Sequence, residues 1–320
     1  MTMIGKTDLD VSGLCLGTNV FGWTADAEQS FALLDAYVEA GGNFLDSADS
    51  YMARAEGNSG GESETIIGDW MAARGNRDEI VVATKVGQLP GRTGLSASTI
   101  TAAVEDSLRR LRTDRIDLYY AHVDDADVPQ EEYLTAFDGL VRAGKVRALG
   151  ASNFGPERLL SALEISGREG LARFEAVQPH YNLVERDYES EQAFFVEKEG
   201  LSCFPYFGLA KGFLTGKYRA GDDGPVDTGA SEGPMRMARA EGAKAYLDER
   251  GVRVLGVLDE VAAVHDVPVA SVALAWLGAQ PTVVAPIASA RTLDQLAQIL
   301  PSATLLLTPD ELAALTEASS

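Results

Sequence analysis

The sequence predicts an α/β protein: one (β/α)8 TIM barrel with an N-terminal hairpin, a long loop after the seventh strand and a C-terminal helix, in a single domain over residues 1–320. First, the short β-type runs are apolar throughout, as in a parallel sheet covered on both faces. Second, segments with apolar residues at helical spacing separate these runs, which indicates repeated βα units. Third, there are eight such runs, which favours a closed barrel over an open sheet.

The alternative is a doubly wound open sheet. In that fold, a glycine-rich phosphate turn of the form G-x-G-x-x-G often follows the first strand. Here the first strand runs into Gly17-Thr18-Asn19-Val20-Phe21-Gly22, which does not match that pattern. The sequence also has no P-loop, H-E-x-x-H or C-x-x-C motif. The barrel is therefore the favoured interpretation.

Residues 2–13 are expected to form a polar hairpin. The eight predicted strands cover residues 14–18, 43–46, 80–85, 117–122, 146–152, 176–178, 201–206 and 283–287. Helices are expected from a capping residue at Asp26, through Trp70, and over 100–111, 133–141, 156–170, 193–199 and 269–277. Thr308 begins a last helix as N-cap, because Pro309 and Glu311 follow at N1 and N3.

Residues 211–242 are rich in Gly, Asp, Pro and Met and have little periodicity, so the sequence predicts an extended loop there. Two interpretations of this loop stay open: a solvated insertion, or a flap over the ligand.

The composition is that of an acidic globular protein. Lys and Arg number 27 against 48 Asp and Glu, for a formal net charge of -21. Such a surface repels phosphate backbones and anionic membranes, and an anionic cofactor would need a local basic pocket. Cys15 and Cys203 lie in apolar runs and are expected to be reduced core residues, although the two could pair. With no evident signal peptide and no apolar run long enough to span a membrane, a cytoplasmic protein is predicted.

Three chemically active side chains come at the ends of consecutive predicted strands. Asp46, Lys85 and His122 are each separated from the next by about one βα unit, and Tyr51 follows Asp46 on the same loop. Strand ends meet at one rim of a barrel, so the side chains should converge there. Taken singly, each has an ordinary explanation: a capping Asp, a solvated Lys, a core His, a surface Tyr. Together they predict a site.

This set suits carbonyl reduction. An ammonium beside a tyrosine favours phenolate and is expected to lower the phenol pKa, while a carboxylate keeps the lysine charged. A histidine can then orient a carbonyl oxygen that receives the tyrosine proton. No metal is expected to take part. An aldolase-type barrel with Lys85 as a Schiff base is an alternative, although Asp46 beside the lysine favours a charged ammonium.

The chain resembles the aldo-keto reductase superfamily over essentially its whole length, and most resembles the bacterial branch that is similar to potassium channel β-subunits. The matching segments are Leu16-Gly17-Thr18, Phe44 to Ala48 with Tyr51, Ala83-Thr84-Lys85, Asp117 to His122, Gly150 to Phe154, Val177 to Leu183 and Gly212 to Tyr218. The resemblance implies a barrel that binds NADPH and reduces aldehydes and ketones. It implies Tyr51 as proton donor, Lys85 and Asp46 as the groups that tune it, and His122 as the group that orients the carbonyl.

The resemblance also implies a set of cofactor contacts. Ser152, Asn153 and Gln178 would hold the carboxamide, and Tyr206 would stack on the nicotinamide, next to Leu209. The phosphates and adenosine would meet Lys217, Ser289, Arg291, Gln295 and Gln298. Independently of the resemblance, Arg291 precedes a helix start, and guanidinium groups and helix N-termini both favour anions.

Some positions depart from the family pattern. Met52 stands where glycine often follows the catalytic tyrosine, and Phe207-Gly208 replaces Ser-Pro. At the adenine end, Gln298 replaces a glutamate and Ile299 an asparagine, which should weaken adenine recognition. Trp23, Met52 and Phe207 would form an apolar substrate pocket, or only pack at the rim. A small carbonyl compound is the expected partner, and a cofactor-binding regulatory subunit with incidental activity is the alternative function.

Overall fold

The computed structural model describes residues 1–219 and 240–320, and its centre is a sheet of eight parallel strands. A short antiparallel hairpin precedes this sheet, and a second one follows its third strand. In chain order the strands are β1 (Thr2–Met3), β2 (Asp10–Val11), β3 (Cys15–Gly17), β4 (Phe44–Asp46), β5 (Val81–Val86), β6 (Gln88–Leu89), β7 (Arg92–Thr93), β8 (Ile116–Ala121), β9 (Val146–Ser152), β10 (Phe174–Gln178), β11 (Ser202–Cys203) and β12 (Ile287–Ala288).

The large sheet curls into a barrel. Its strands pair in chain order from β3 to β11, and β12 returns to pair with β3, through Ile287 with Cys15. Val283, just upstream of β12, forms a parallel bridge with Cys203 in β11, so the last segment touches both neighbours. The predicted (β/α)8 barrel is confirmed, although the eighth strand proper spans only Ile287–Ala288, at the end of the predicted range 283–287.

Helices surround the barrel. They are α1 (Ala27–Glu39), α2 (Glu62–Arg74), α3 (Ala97–Leu111), α4 (Gln130–Arg142), α5 (Pro156–Glu169), α6 (Gln192–Glu199), α7 (Glu249–His265), α8 (Val269–Gly278), α9 (Leu293–Ile299) and α10 (Pro309–Ala318), with 3-10 turns at Arg77–Glu79, Asp187–Glu189, Ala210–Thr215 and Leu300–Ala303. The capping box predicted at Thr308 is confirmed, with its side chain and that of Glu311 bonded reciprocally.

The predicted loop over residues 211–242 is wrong at both of its ends. A 3-10 turn occupies Ala210–Thr215, and residues 240–244 are helical. Residues 220–239 of that prediction lie outside the described part of the chain. Helix α7 was not predicted from the sequence, although Val254, Leu255 and Leu258 are buried along one face of it.

The N-terminal hairpin is less polar than predicted. Ile4, Leu9 and Val11 are buried and belong to the same apolar cluster as Phe44 and Val81, the first residues of β4 and β5. The hairpin therefore covers the N-terminal end of the barrel.

The inward side chains change character along each strand. Those nearer the N-terminal end are apolar, and the residue two positions later on the same strand or its extension is polar in most cases, because successive side chains alternate between faces. The pairs are Phe44 and Asp46, Ala83 and Lys85, Tyr120 and His122, Ala176 and Gln178, Phe204 and Tyr206, and Ile287 and Ser289. The site is thus the top layer of the barrel interior.

Both cysteines, Cys15 and Cys203, are buried and free, as expected. Among the described residues, no single helix has the length and apolar composition needed to cross a membrane; only α7 and α8 taken together reach it, and they are bent by 98°.

Candidate functional site

Asp46, Tyr51 and Lys85 form a closed triangle of hydrogen bonds at the C-terminal end of the barrel. The Lys85 Nζ donates to Asp46 Oδ2 and to Tyr51 Oη, each at 2.7 Å. The Tyr51 hydroxyl donates to the same Asp46 Oδ2, also at 2.7 Å. Since an ammonium can only donate and a carboxylate only accept, the direction of each bond is fixed. The convergence predicted for these three residues is confirmed in this geometry.

Lys85 lies below the floor of the site, with no exposed surface. Its third N–H donates to the backbone carbonyl of Ser47 at 2.6 Å, so all three donors are used. A buried ammonium is tolerated only when it is paired and fully hydrogen-bonded, as it is here. An amine in this arrangement is not presented as a free nucleophile, which argues against the Schiff-base alternative.

The expected lowering of the Tyr51 pKa is wrong for this structure. Burial of the phenol and the neighbouring Asp46 carboxylate raise its pKa well above the ordinary value. The ammonium of Lys85 favours the phenolate, but these two effects outweigh it. Burial also lowers the pKa of Lys85 itself. Tyr51 therefore holds its proton at neutral pH, as a proton donor must.

His122 lies beside Tyr51, with the two ring centroids 6.1 Å apart in an edge-to-face arrangement. Its Nδ1 is 3.4 Å from the Ser50 hydroxyl. Burial, followed by the charge of Lys85, lowers the His122 pKa to about 3, so the imidazole is neutral at pH 7. A neutral imidazole can orient a carbonyl oxygen through an N–H without competing as an acid.

The residues assigned to the carboxamide form a connected polar group next to the triangle. The Gln178 Nε2 donates to Asp46 Oδ1 at 2.8 Å, so Asp46 accepts hydrogen bonds on both oxygens. Asn153 donates to the His122 carbonyl at 2.9 Å and to Ser152 Oγ at 3.0 Å. Tyr206 donates to Asn153 Oδ1 at 2.8 Å. These bonds tie the rims of β9, β10 and β11 to the triangle of Asp46, Tyr51 and Lys85.

A cleft of about 1610 Å³ runs from this triangle across the C-terminal rim. It is larger than the roughly 300–1,000 Å³ usual for small-ligand pockets, which suits a long ligand with a second molecule beside it. Except for Lys85 and Met52, every residue assigned to the site from the sequence lines it. These are Trp23, Asp46, Tyr51, His122, Ser152, Asn153, Gln178, Tyr206, Phe207, Leu209, Lys217, Ser289, Arg291, Gln295 and Gln298.

The far end of the cleft combines cations with a helix start. Arg291 lies just before Thr292, whose side chain caps the short helix α9 through Gln295 N. The backbone N–H of Arg291 donates to Gln295 Oε1 at 3.0 Å, which holds the helix start against the preceding loop. Ser289 Oγ donates to Asn19 Oδ1 at 2.7 Å, and Lys217 lines the cleft beside it. Lys211, Lys217 and Arg291 line the cleft together with Asp26, Asp46 and Asp294. The three cations supply local positive charge for an anionic cofactor in a protein of strongly negative net charge.

The residues that line the cleft fit a nicotinamide dinucleotide. The amide groups of Gln178 and Asn153 and the ring of Tyr206 surround one end of the cleft, as a carboxamide-bearing ring requires. Lys217 and Arg291 line the other end, where phosphates would be neutralised. Gln298 and Ile299 also line the cleft, and Ile299 is buried.

The apolar residues assigned to the substrate pocket differ in whether they line the cleft. Trp23 and Phe207 line the cleft, and Phe207 remains 38% exposed at its mouth. Met52 is not among the lining residues and has a backbone φ of 54°, a left-handed conformation in which glycine is ordinarily favoured. The role of Met52 in a substrate pocket stays a prediction.

Several residues of the site carried no assigned role in the sequence analysis. Ser47 supplies the carbonyl that Lys85 binds, Ser50 contacts His122, and Asn19 holds Ser289. Asp49 is buried beside the site, and neither of its carboxylate oxygens has a hydrogen-bond partner in residues 1–219 and 240–320. For Ser47 the contact is through the backbone, which no residue pattern encodes. The alternation of inward residues described above is the signal that identifies the site layer as a whole.

Comparison with known proteins agrees with the geometry. Residues 13–320 match the family model described as the aldo/keto reductase family. The norsolorinic acid reductase stcV of Emericella nidulans is 34% identical over 94% of this chain and 76% of its own length. The uncharacterized oxidoreductase YrpG of Bacillus subtilis is 34% identical over 92% of this chain and 88% of its own. An aryl-alcohol dehydrogenase of Pestalotiopsis microspora is 32% identical over 94% and 77%. The chain is an oxidoreductase that belongs to the aldo/keto reductase family.

Proposed function

We propose that this protein reduces aldehydes and ketones to alcohols with NADPH, reversibly, and that Tyr51 donates the proton. The observation that carries the proposal is the triangle of Asp46, Tyr51 and Lys85 at the floor of a long cleft, with the neutral His122 beside it. It supplies a protonated phenol, a fixed ammonium that stabilises the phenolate formed when the proton leaves, and a neutral N–H donor that orients the substrate.

The proton transfer can be followed atom by atom. In the structure the Tyr51 O–H is directed to Asp46 Oδ2. When a carbonyl oxygen lies above Tyr51, this O–H rotates towards it and gives up its proton as negative charge develops on that oxygen. The Lys85 N–H, 2.7 Å away, donates to the phenolate that remains. Because this donor is already in place before the reaction, the site needs little reorganisation to stabilise the new charge. Asp46 keeps Lys85 charged and in place throughout.

When bound, a reduced nicotinamide would supply the hydride that the carbonyl carbon accepts. Tyr206, Asn153, Ser152 and Gln178 would hold the nicotinamide end, and Lys217 and Arg291 would bind the phosphates, with Arg291 favouring the 2′-phosphate of NADPH. The remaining assigned residues would contact the rest of the cofactor. They are Leu209, Ser289, Gln295 and Gln298.

Apolar carbonyl compounds are the substrate class that we propose. Trp23 and Phe207 offer aromatic surface at the mouth of the cleft, which favours flat apolar groups. One relative is named an aryl-alcohol dehydrogenase, and another a norsolorinic acid reductase. These enzyme names also favour a catalyst over a regulatory subunit with incidental activity. Two free, buried cysteines support a cytoplasmic location.

Replacement of the proton donor tests the proposal directly. We expect Tyr51→Phe to lower turnover by about 100-fold or more, because general acid catalysis typically contributes that much, while NADPH still binds. NADPH oxidation with a panel of aromatic and aliphatic aldehydes and ketones measures turnover, and fluorescence titration measures binding. Tyr119→Phe is the matched control, since the buried Tyr119 hydroxyl has no hydrogen-bond partner among the described residues. Undiminished turnover in Tyr51→Phe would refute the mechanism.

Cofactor preference is tested at the other end of the cleft. We expect Arg291→Ala to weaken NADPH binding more than NADH binding, because only NADPH carries the 2′-phosphate that a guanidinium would hold. Arg168→Ala removes an exposed arginine in α5, outside the cleft, and should change neither affinity. Equal losses for the two cofactors in Arg291→Ala would contradict the assignment.

A further inference from the structure

His180 forms a parallel stack with Tyr206. The two ring centroids are 5.3 Å apart, and the ring planes differ by 9°. The backbone explains the stack: His180 follows β10, Tyr206 follows β11, and the two residues form a parallel bridge, with Tyr206 N donating to Pro179 O at 3.0 Å. Cross-strand neighbours on one face place their side chains in contact.

The stack leaves one face of Tyr206 for the cleft. Tyr206 lines the cleft, whereas His180 is not among the lining residues, so His180 lies behind the tyrosine ring. The edge of the ring is also held, by the hydrogen bond to Asn153 and by an edge-to-face contact with Phe207 at 5.2 Å. His180 makes its own edge-to-face contact with Phe207 at 5.5 Å. Both aromatic neighbours of Tyr206 are therefore packed against each other.

His180 contacts Tyr206 through the face of its ring. Its Nε2 is buried and has no hydrogen-bond partner within residues 1–219 and 240–320. Burial, opposed in part by Glu185 and Asp187 and reinforced by Lys211, lowers the His180 pKa, so the ring is uncharged at neutral pH. An uncharged aromatic ring without a bonded Nε2 is suited to stacking, and the somewhat larger phenyl ring offers a similar flat face.

We propose that His180 is a positioning residue of the nicotinamide subsite, which backs the Tyr206 ring so that the opposite face lies flat against the bound nicotinamide. This inference rests on the proposed use of NADPH. Aromatic pairs contribute modestly beyond their buried area, so the expected effect on affinity is about 3- to 10-fold. His180 acts through Tyr206 and contacts neither the substrate nor the reacting atoms.

The test measures dissociation constants of the full-length protein by fluorescence titration with NADPH. We expect His180→Ala to weaken NADPH binding by about 3- to 10-fold and His180→Phe to restore it to within about twofold of wild type. We also expect His180→Ala to add nothing in a Tyr206→Ala background, since the ring that it positions is then gone. Thermal unfolding of each variant confirms that it is folded.

The matched probe is 2′-phospho-ADP-ribose, which is NADPH without its nicotinamide. We expect its affinity to be the same in wild type and His180→Ala. Equal loss for this probe, additive losses in the double variant, or no rescue by His180→Phe would overturn the assignment of His180. A wild-type protein that binds the probe but not NADPH would instead overturn the proposed function, and the inference with it.

Discussion

The lower and upper layers of the barrel interior are built on the same strands and behave in opposite ways. In the lower layer Phe44 packs edge-to-face on Phe204 at 5.0 Å, and the hairpin residue Ile4 belongs to the same apolar cluster. Two residues further along β4 and β5, the upper layer holds the buried ion pair of Asp46 and Lys85. The lower layer stabilises the folded state by burying apolar surface. The upper layer offsets part of this stabilisation, because its charged groups are desolvated.

The arrangement of the two layers depends on the space between side chains as well as on their polarity. At Gly150 in β9, an added Cβ would lie 2.3 Å from the ring of Tyr120, a side chain of the lower layer. A side chain at position 150 would therefore displace Tyr120. Tyr120 in turn lies 5.9 Å from Lys85 Nζ, measured to the ring centroid, and forms part of the apolar wall below the ammonium. The geometry of the Asp46, Tyr51 and Lys85 triangle thus depends on packing one layer below it.

The largest effect is expected where the buried ion pair is broken. Lys85→Met should lower turnover by about 100-fold or more and the free energy of unfolding by about 3–5 kcal/mol, because Asp46 is left as an uncompensated buried charge. Urea unfolding and NADPH oxidation measure the two effects. The double variant Lys85→Met/Asp46→Asn should recover much of the stability and none of the activity. Recovered activity would contradict the role given to the upper layer.

A lower-layer substitution should affect stability alone. Ile4→Ala creates a cavity under the barrel and should lower the free energy of unfolding by about 2–5 kcal/mol, while the folded protein keeps its turnover. Ile4→Val removes one methylene group and should cost about 0.5–1.5 kcal/mol. A large loss of turnover per folded molecule in Ile4→Ala would show that the two layers are not separable.

Asp49, buried near the C-terminal rim but outside the cleft lining, should make the stability of the fold depend on pH. Burial, reinforced by Glu64, raises the Asp49 pKa to about 7 from the 3.8 of an unperturbed aspartate. The folded state therefore binds this proton more tightly than the unfolded state, and ionisation destabilises the fold. Between pH 4 and 7 the contribution of Asp49 to the free energy of unfolding should fall by at most about 1.4 kcal/mol per pH unit, and it should stay low above pH 7.

Asp49→Asn removes that titration. Compared with wild type, the variant should gain stability as pH rises from 5 to 8, and urea unfolding at both pH values measures the difference. Glu132→Gln, an exposed carboxylate in α4, is the control and should show no such gain. Parallel stability profiles for wild type and Asp49→Asn would contradict the assignment of the titration to Asp49.

The smallest effect is expected for an ion pair in solvent. Asp69 and Arg112 are 2.9 Å apart, with side chains 52% and 56% exposed. Asp69→Asn should change the free energy of unfolding by less than about 1 kcal/mol, because water screens the charges in both states. Urea unfolding also measures the loss in the free energy of unfolding of Lys85→Met. The difference between the two losses shows how burial changes the contribution of an ion pair with a similar N–O distance. A loss comparable to that of Lys85→Met would refute this explanation.

Local patterns in the sequence predicted the repeating units well. Apolar runs and helical spacing identified eight strands and most of the helices, and the capping residues marked α1 and α10. The same reasoning missed α7, which lies beyond a segment of low periodicity, and took the turn Ala210–Thr215 for loop. That turn contains Lys211 at a φ of 60°, a conformation that tertiary contacts select and that no lysine pattern signals.

The residue types at the ends of the strands, and hence the family and the class of reaction, can be read from the sequence without coordinates. The tertiary structure alone decided how those side chains meet: that Asp46 receives hydrogen bonds from Lys85, Tyr51 and Gln178, that burial keeps Tyr51 protonated and His122 neutral, and that His180 lies behind Tyr206. The physical reason is that pKa values and ring contacts depend on desolvation and on neighbours distant in sequence, whereas strand ends are local patterns.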